Sequence, residues 1–424
     1  MKVSIALSLF LIFSPAFFAS NSSSLPMQDW FPKAPPIPQP NGDIIHVETV
    51  PELFQAAETA RPNDTILLTD GLYKMPRYFE LHTDNVTLRS ASGNREKVIL
   101  DGSESQHGEL VGVSRCSGVT IADLTIQNIQ WNGFKINSDT NVQNVTIYNC
   151  IIHNIWQRGV KGVRVPEENR NETRPHDCKI QYCLFYNDHA KRFEDDPRDT
   201  PENFNGNYIG GIDAMYAKRW TISDNVFLGI QGRTREGRGC VFLWHHGEDC
   251  IVERNIIIDC DLGVALGNSS GIGEGMSRVH CTNFIVRNNF ITRTPETGIL
   301  ADYTKDCKIL NNTIYDPANR LQRLIRIVHD NDGLAVMNNL VSGPPIRIES
   351  DSRMDIRHNQ IGDFTSTFAD PTNGNLHLVR DFENLIHPAL RLADVEDDID
   401  GDARDENPTI GADEVPENPI NPRN

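Results

Sequence analysis

The chain has 424 residues, of which 38% are hydrophobic and 23% are charged, and this balance excludes an intrinsically disordered protein. The formal net charge is −18, so the field of the protein repels nucleic acid and anionic membranes and excludes general binding to either. A local basic patch remains compatible with an acidic polymer as a partner.

The first twenty residues predict a signal peptide. Lys2 gives a basic start, residues 3–18 are almost wholly apolar, and Ala19 and Ser20 supply small residues for cleavage. The apolar run is short for a membrane anchor, and no later run is long enough to span a bilayer. We therefore expect an exported protein that works as a monomer, with no membrane span in the mature chain.

Two further features precede the main part of the chain. Residues 21–43 are rich in Pro and Ser and predict a linker or an extended arm. Residues 50–60 predict a helix, because Thr49 can cap it, Pro51 suits its first turn and one face is apolar. We expect this helix to cover the N-terminal end of the repeats that follow.

From residue 65 onward the chain repeats a unit that consists of an apolar residue, two arbitrary residues, Asn or a small residue, and further apolar residues. The Asn or small residue falls at positions 91, 124, 150, 183, 225, 255, 289, 312, 339 and 359. Constant units at variable spacing predict a solenoid, because insertions bulge from its corners and leave the coil intact. The sequence predicts an all-β architecture of about ten coils over residues 44–395, followed by a C-terminal cap segment and tail over residues 396–424.

The Asn residues of the repeat suggest their own structural role. Asn tolerates the left-handed backbone that a tight corner needs, and its amide can bond to the Asn one coil above. We expect these residues to occupy left-handed corners and to form a ladder.

The repeats, such as Ile222-Ser-Asp-Asn225 and Val286-Arg-Asn-Asn289, resemble the right-handed parallel β-helix repeats of pectate, alginate and chondroitin lyases and of many exported bacterial proteins. The ending from Asp398 to Glu414 resembles the terminal segment of bacterial β-helix proteins. The resemblance implies a right-handed parallel β-helix, a polysaccharide partner and a secreted or periplasmic location in a bacterium.

The nine cysteines are an odd number, so at least one thiol stays free or pairs between chains. Cys150 and Cys183 fill the same slot on neighbouring coils. They can form a disulfide after export, and packed thiols are the alternative.

Two charged insertions, residues 163–177 and 187–210, interrupt adjacent coils and are predicted to wall one end of a groove. Side chains alternate along a strand, so the residue two places after each repeated Gly should point outward. The predicted outward stripe consists of Lys135, Lys161, Asp213, Val241, Ala265 and Leu300.

Cations, aromatic rings and imidazoles concentrate beside this stripe, as a site for acidic sugars requires. A cation neutralises a uronate carboxylate, a basic side chain removes the C5 proton, and aromatic faces stack on sugar rings. The candidate catalytic residues are Lys161, Arg164, Asp213, Tyr216 and His245. The candidate substrate-binding residues are Lys135, Lys218, Arg233, Arg235, Arg238, Trp244 and His246.

The stretch from Val241 to Asn255 is similar to the coil that carries the essential arginine in alginate and chondroitin B lyases, with Trp244-His245 where that family has Arg-His. The sequence assigns no cofactor and no metal ligands, and Ca²⁺ is the candidate ion. The segment Asp398-x-Asp400-Gly401-Asp402 lacks the spacing of an EF-hand loop, and we expect it to be structural.

The sequence therefore predicts an exported polysaccharide lyase that cleaves uronic-acid-containing glycans by β-elimination. One alternative is a glycoside hydrolase or epimerase on the same scaffold. The other is a non-catalytic glycan-binding or surface adhesion protein, since one fold hosts many chemistries.

Overall fold

A computed structural model describes residues 26–40, 42–166, 168, 170–268, 278–379 and 388–415, and the predicted signal peptide lies outside these ranges. The chain divides into two compact units, Met1–Phe31 and Pro32–Asn424. In the first unit, Trp30 and Phe31 pack edge to face, with ring centroids 4.7 Å apart. No helix in the described ranges has the length and apolar character that a membrane crossing needs.

The second unit is a parallel β-helix, as predicted. Each coil adds strands to three long sheets, in which neighbouring strands run parallel. Sheets 1 and 3 have twelve strands each and sheet 2 has eleven. The prediction of about ten coils is wrong, because strands Ile44–Val47 and Thr65–Leu68 open sheet 1 without the Asn unit by which coils were counted.

The elements have the following bounds. Sheet 1 comprises Ile44–Val47, Thr65–Leu68, Thr87–Ser90, Thr120–Ala122, Thr146–Tyr148, Lys179–Gln181, Thr221–Ser223, Ile251–Glu253, Ile285–Arg287, Lys308–Leu310, Ala335–Met337 and Asp355–Arg357. Sheet 2 comprises Gly71–Lys74, Val98–Asp101, Thr125–Ile129, Ile151–Ile155, Leu184–Tyr186, Val226–Leu228, Ile256–Ile258, Phe290–Thr292, Thr313–Tyr315, Leu340–Ser342 and Gln360–Gly362. Sheet 3 comprises Phe79–Leu81, Glu109–Val113, Asn132–Ile136, Arg158–Gly162, Gly210–Met215, Gly239–Trp244, Gly247–Glu248, Leu262–Leu266, Cys281–Thr282, Thr297–Lys305, Ile325–Asp332 and Arg347–Glu349. An antiparallel hairpin pairs Phe368–Asp370 with Asn375–Leu378. The α-helices are Val50–Thr59 and Arg170–Thr173, and single 3₁₀ turns cover Ser138–Thr140, Thr365–Thr367 and Pro371–Asn373.

The helix Val50–Thr59 agrees with its prediction to within one residue. The Thr49 hydroxyl accepts the backbone N–H of Glu52 at 3.4 Å, and the Glu52 carboxylate accepts the backbone N–H of Thr49 at 3.0 Å. This reciprocal capping satisfies two donors that the first helical turn would otherwise leave unpaired. Leu53 on its apolar face belongs to the same buried core as the first coils.

The repeated glycines of sheet 3 are required by the closeness of the next coil. A Cβ atom on Gly133 would lie 2.8 Å from the carbonyl oxygen of Gly159, and one on Gly159 would lie 2.9 Å from that of Gly211. A side chain at any of these positions would push the coils apart, so glycine recurs where sheet 3 strands begin.

The Asn ladder is confirmed. The Asn289 side chain donates to the backbone carbonyl of Val252 at 3.0 Å and to Oδ1 of Asn312 at 2.9 Å. Its own Oδ1 accepts the backbone and side-chain N–H groups of Asn255 at 2.9 and 3.0 Å. The same pattern links Asn225 to Asn359 through the buried corner between sheets 1 and 2.

The expectation that the ladder residues themselves adopt the left-handed backbone is wrong. Positive φ angles belong to the residue before each of them, such as Asp224 (59°), Asn288 (52°) and Asn338 (57°). The corner therefore uses two adjacent residues, one that turns the backbone and one whose amide bonds between coils.

The nine cysteines are all buried free thiols. Burial, and then the neighbouring thiol of Cys183, raise the pKa of Cys150. The structure therefore agrees with the packed-thiol alternative, because small weakly polar side chains fill the stacked corners.

We expect Asn289→Ala to destabilise the β-helix by about 2–4 kcal/mol, because it removes several buried hydrogen bonds and leaves the backbone N–H of Asn255 without its acceptor. Chemical denaturation followed by circular dichroism measures the change. Asn359→Ala is the matched control at the last, less buried ladder position and should cost clearly less. Equal losses at both positions would contradict a stabilising role for the stacked ladder.

Titration with a thiol reagent tests the cysteine assignment. The folded protein should react slowly, because every thiol is buried, and the denatured protein should release nine thiols. A count of seven after denaturation would show that a Cys150–Cys183 disulfide forms instead.

Candidate functional site

A cluster of charges lies on the outer face of sheet 3. The Asp213 carboxylate accepts a hydrogen bond from Nε of Arg158 at 2.7 Å, and the same carboxylate oxygen lies 2.9 Å from Nζ of Lys161. The indole N–H of Trp244 donates to its other oxygen at 3.1 Å. We call these four residues the Asp213 cluster, and its two cations and one anion leave a net positive charge in an acidic protein.

The Asp213 cluster is strongly buried. Arg158 is 1% exposed and Asp213 is 2% exposed, whereas Lys161 and Trp244 are half-buried. Burial alone would raise the pKa of Asp213, but the positive charges of Lys161 and Arg158 outweigh it and lower the pKa to about 2. Asp213 is therefore ionised at neutral pH and fixes both cations in place.

Sequence reasoning missed Arg158 because strict alternation from Gly159 places it on the inner face. In the structure, a Cβ atom on Gly159 would lie 2.8 Å from the ring of Phe185 in the core, and the next residue, Val160, is also in the core. Two consecutive residues therefore face inward, which breaks the strict alternation. This irregularity puts Arg158 on the same side as Lys161. The sequence does place a charged residue directly before a repeated glycine. An Arg that is buried at this position needs a carboxylate on a neighbouring coil, and Asp213 is such a carboxylate.

The outward stripe of sheet 3 differs from the prediction at one position. Lys161 pairs with Asp213, Asp213 with Phe242, and Phe242 with Ala265. The placement of Val241 in the stripe is wrong, since Val241 pairs with an inward residue and lies in the core. The carbonyl of Cys240 lies against Gly211, whereas that of Gly239 lies against Gly210. Counting from Gly239 therefore misplaces the outward residue of this coil by one position.

A groove of about 230 Å³ adjoins the Asp213 cluster. Its lining residues are Glu236, Gly237, Arg238, Gly239, Phe242, Leu262, Ala265, Gly267, Asn268, Glu296, Leu300 and Arg323. The floor is apolar, and Trp244 packs on it in parallel with Phe242, at 5.4 Å between ring centroids. An apolar floor with charged walls suits the faces and the polar edges of sugar rings.

The three predicted arginines of residues 233–238 have different surroundings. Arg233 donates to Asn205, and Arg235 forms ion pairs with two aspartates. Only Arg238 lines the groove. Burial, and then the charge of Arg158, lower the pKa of Arg238, which shows that cations crowd this end of the groove.

The insertion 187–210 contributes a residue that sequence reasoning did not select. The guanidinium of Arg158 lies over the ring of Tyr208, 3.9 Å from its centroid. This cation–π contact covers the buried arginine with an aromatic ring. The ring of Tyr208 also packs near Phe204, at 4.7 Å between centroids, so the insertion brings two aromatic side chains to the site.

The same insertion is fixed from inside by Lys191. Its ammonium lies 3.0 Å from Asp196 and 2.9 Å from Asp199, and it donates to the backbone carbonyl of Tyr208 at 3.1 Å. All three charged side chains are buried. A buried charge is stable only when it is paired in this way, so the insertion has a defined conformation.

The two insertions do not wall one end of a groove. Residues 163–177 follow the strand Arg158–Gly162, whereas residues 187–210 precede the strand Gly210–Met215. They therefore flank sheet 3 from opposite sides. In the first insertion, buried Arg174 donates to the backbone carbonyls of Tyr216 and His246 at 3.2 and 2.6 Å.

Tyr216 and His245 pair with each other, but both are fully buried. The hydroxyl of Tyr216 lies 2.6 Å from Nε2 of His245. Burial, and then the charges of His246 and Arg164, lower the pKa of His245 to about 4, so this imidazole is neutral at pH 7. The two side chains therefore do not reach the open surface, and their predicted catalytic role is not tested by this geometry.

The remaining predicted residues lie around the cluster. Lys135 forms an ion pair with Glu109 at 2.9 Å, one coil before Lys161. Lys218 pairs with Glu248 at 3.2 Å, beyond the corner that Tyr216 begins. His246 stacks on Tyr216 at 5.8 Å, and Arg164 is exposed.

Two further pairs near the site were also missed. The backbone N–H of His245 donates to Nδ1 of His280 at 3.2 Å. Nδ1 of His329 lies 2.7 Å from the buried carboxylate of Asp302. Neither pair carries the Gly signal of the outward stripe, because each is formed by the stacking of adjacent coils. The ring of His280 lies 6.0 Å from that of Trp244.

Comparison with known proteins agrees with the fold. Residues 109–341, more than half of the chain, match the family model described as right handed beta helix region, and the chain belongs to this family. No curated protein matches the chain by sequence.

Solved structures resemble the chain at low identity. Pectate lyase Pel9A superposes with a TM-score of 0.57 at 12% identity, covering 84% of this chain and 89% of that one. PfbA, a surface adhesin of Streptococcus pneumoniae, has a TM-score of 0.48 at 13% identity, covering 74% and 86%. A tailspike protein mutant of E. coli bacteriophage HK620 has a TM-score of 0.49 at 12% identity, covering 74% and 57%. The likeness to pectate lyase Pel9A, at 12% identity, shows a shared fold.

We expect Asp213→Asn to destabilise the protein at neutral pH, because Arg158 would remain buried without its counter-charge. The lowered pKa of Asp213 means that its stabilising effect is fully present above about pH 4 and disappears as the pH falls to about 2. The difference in unfolding free energy between wild type and variant should therefore shrink by about 2 kcal/mol over this range. Denaturation curves at several pH values measure it, and a difference independent of pH would contradict the assignment.

Proposed function

We propose that this protein is a polysaccharide lyase that cleaves a uronic-acid-containing glycan by β-elimination along the outer face of sheet 3. The observation that carries the proposal is the Asp213 cluster, a buried carboxylate that holds two cations beside an aromatic floor. In a chain of net charge −18, such a local excess of positive charge favours an acidic ligand at this position.

The groove supports binding of a sugar chain in extended form. Trp244 and Phe242 offer parallel apolar surface for the faces of sugar rings. Arg238 lines the groove and is the cation best placed to pair with a uronate carboxylate. Tyr208 and the arginine beneath it border the same region from the insertion.

The proposed reaction removes the proton on C5 and expels the oxygen on C4. The C5–H and C4–O bonds break, a C4=C5 double bond forms, and the leaving oxygen takes up a proton. Neutralisation of the carboxylate by Arg238 makes the C5 proton removable, because negative charge that develops at C5 spreads onto the carboxylate. Lys161 is the residue proposed to take that proton when its amine is in the neutral form.

The other residues of the site are positioning residues in this proposal. Asp213, which is itself bonded to Arg158, holds Lys161 in one place. Tyr216 and His245 support the corner that follows Trp244. The exposed Arg164 lies just after the strand Arg158–Gly162, at the start of the insertion 163–177, and would contact a longer substrate.

A second candidate function is glycan binding without chemistry. The observation that favours it is the complete burial of Tyr216 and His245, which leaves Lys161 as the one predicted proton acceptor with access to the surface. A binding protein needs the cations and aromatic rings and does not need a base.

Absorbance of the new double bond, recorded with a panel of uronic-acid polysaccharides with and without Ca²⁺, tests the proposal. We expect activity on at least one polymer, and we expect Lys161→Ala to lower kcat by about 10²-fold or more because the proton acceptor is lost. Arg238→Ala should raise KM and lower kcat together.

Lys308→Ala is the matched control, because Lys308 forms an ion pair on sheet 1, away from the groove. It should leave kcat unchanged. New reducing ends without the double bond would replace the lyase by a hydrolase. Retained glycan binding with neither product would replace it by the binding protein.

A further inference from the structure

Three ligating side chains converge at the C-terminal end of the chain, far along the sequence from the groove residues. His377 lies on the hairpin strand Asn375–Leu378, and Asp400 and Asp413 lie in the terminal segment. One ligand atom from each of the three lies within 4.8 Å of the others. Nε2 of His377 lies 3.1 Å from Oδ2 of Asp400.

The orientation of the imidazole identifies Nε2 as the ligand atom. Oδ1 of Asn375 accepts the backbone N–H of His377 at 3.2 Å, so this atom is an oxygen. Nδ1 of His377 lies 2.6 Å from the same oxygen and must donate to it. The lone pair of the neutral imidazole is therefore on Nε2, which lies 3.1 Å from the carboxylate of Asp400. Metal-binding histidines characteristically donate their second ring nitrogen to an acceptor of this kind.

Asp413 gives a second, independent indication. Its side chain is 6% exposed, and the backbone N–H of Leu378 at 2.6 Å is the one hydrogen bond that the described residues supply to its carboxylate. Among those residues, no Lys or Arg forms an ion pair with Asp400 or Asp413. With His377 neutral, the buried carboxylate of Asp413 has no cation beside it among those residues, which is costly, and a metal ion would provide the missing charge.

The neighbouring Asp398 is already used by the fold. Its two oxygens accept the backbone N–H groups of Asp400, Asp402 and Glu414 at 2.9 to 3.1 Å. This agrees with the structural role expected for the Asp-rich segment. The bonds hold the loop so that the Asp400 side chain is directed toward His377.

We propose that His377, Asp400 and Asp413 bind one divalent transition-metal ion, of which Zn²⁺ is the best match. One imidazole nitrogen and two carboxylate oxygens form a donor set for Zn²⁺ or Mn²⁺, whereas Ca²⁺ prefers oxygen ligands throughout. Two atoms bound to a tetrahedral ion at ~2.1 Å are ~3.4 Å apart, close to the observed 3.1 Å between His377 and Asp400. The ion would tie the hairpin to the terminal segment.

Calorimetric titration of chelator-treated, full-length protein with Zn²⁺ alone tests the proposal. We expect one equivalent to bind, and we expect the thermal midpoint to rise by roughly 2–5 °C at saturating Zn²⁺. Asp400→Asn should weaken binding ~10-fold or more. Because Asp400 is exposed, this variant should retain the midpoint of the metal-free protein.

Glu406→Gln is the matched control, since Glu406 is an exposed carboxylate of the same segment outside the cluster. It should bind Zn²⁺ as the wild type does. His377→Gln supplies a second variant and should lose binding as Asp400→Asn does. No uptake by the wild type, which would mean that a doubly protonated His377 holds the carboxylates, overturns the proposal, and so does equal uptake by the wild type and Asp400→Asn.

Discussion

The structure depends on the in-register stacking of parallel coils, in which backbone hydrogen bonds hold each residue directly beside its counterpart ~4.8 Å away. A side chain on one coil is therefore selected by the residue at the same position on the next. Glycine recurs where the next coil's carbonyl occupies the space of a Cβ atom. Asn recurs where one amide can both donate to the coil on one side and accept from the coil on the other.

The same constraint explains how an acidic chain carries a positive site. Like charges at the same position of adjacent coils repel at ~5 Å, so stacked cations such as Lys135 and Lys161 each need a nearby anion. Asp213 pairs with Lys161 in the register of the next coil, and its carboxylate also accepts a hydrogen bond from Arg158, which precedes Gly159. The Asp213 cluster is thus a stable arrangement of two cations on one coil and an anion on the next. Glu109 is the corresponding anion for Lys135.

Sequence reasoning predicted the features that repeat and missed those that depend on where a repeat is broken. The strands, the core and the Asn ladder could be predicted because the same spacing of apolar residues and Asn recurs in most coils. Phe242 instead of Val241 faces outward, and Arg158 also faces outward, because the strands are irregular at their glycines. A prediction that assumes strict alternation cannot detect such irregularities. Arg174, which donates to the backbone carbonyl of buried Tyr216, lies in an insertion, and insertions follow no periodic pattern.

The insertion 187–210 brings its own buried lysine, and this has a consequence for how such a protein can change. Lys191, Asp196 and Asp199 neutralise one another within the segment, and Gln157 on the coil also donates to Asp196. These three buried charges therefore need no counter-charge from the coil that carries them. Such a segment behaves as a cassette that recombination can exchange between coils or relatives as a single piece. Its aromatic residues would move with it, and ligand preference could be altered while the solenoid beneath stays the same.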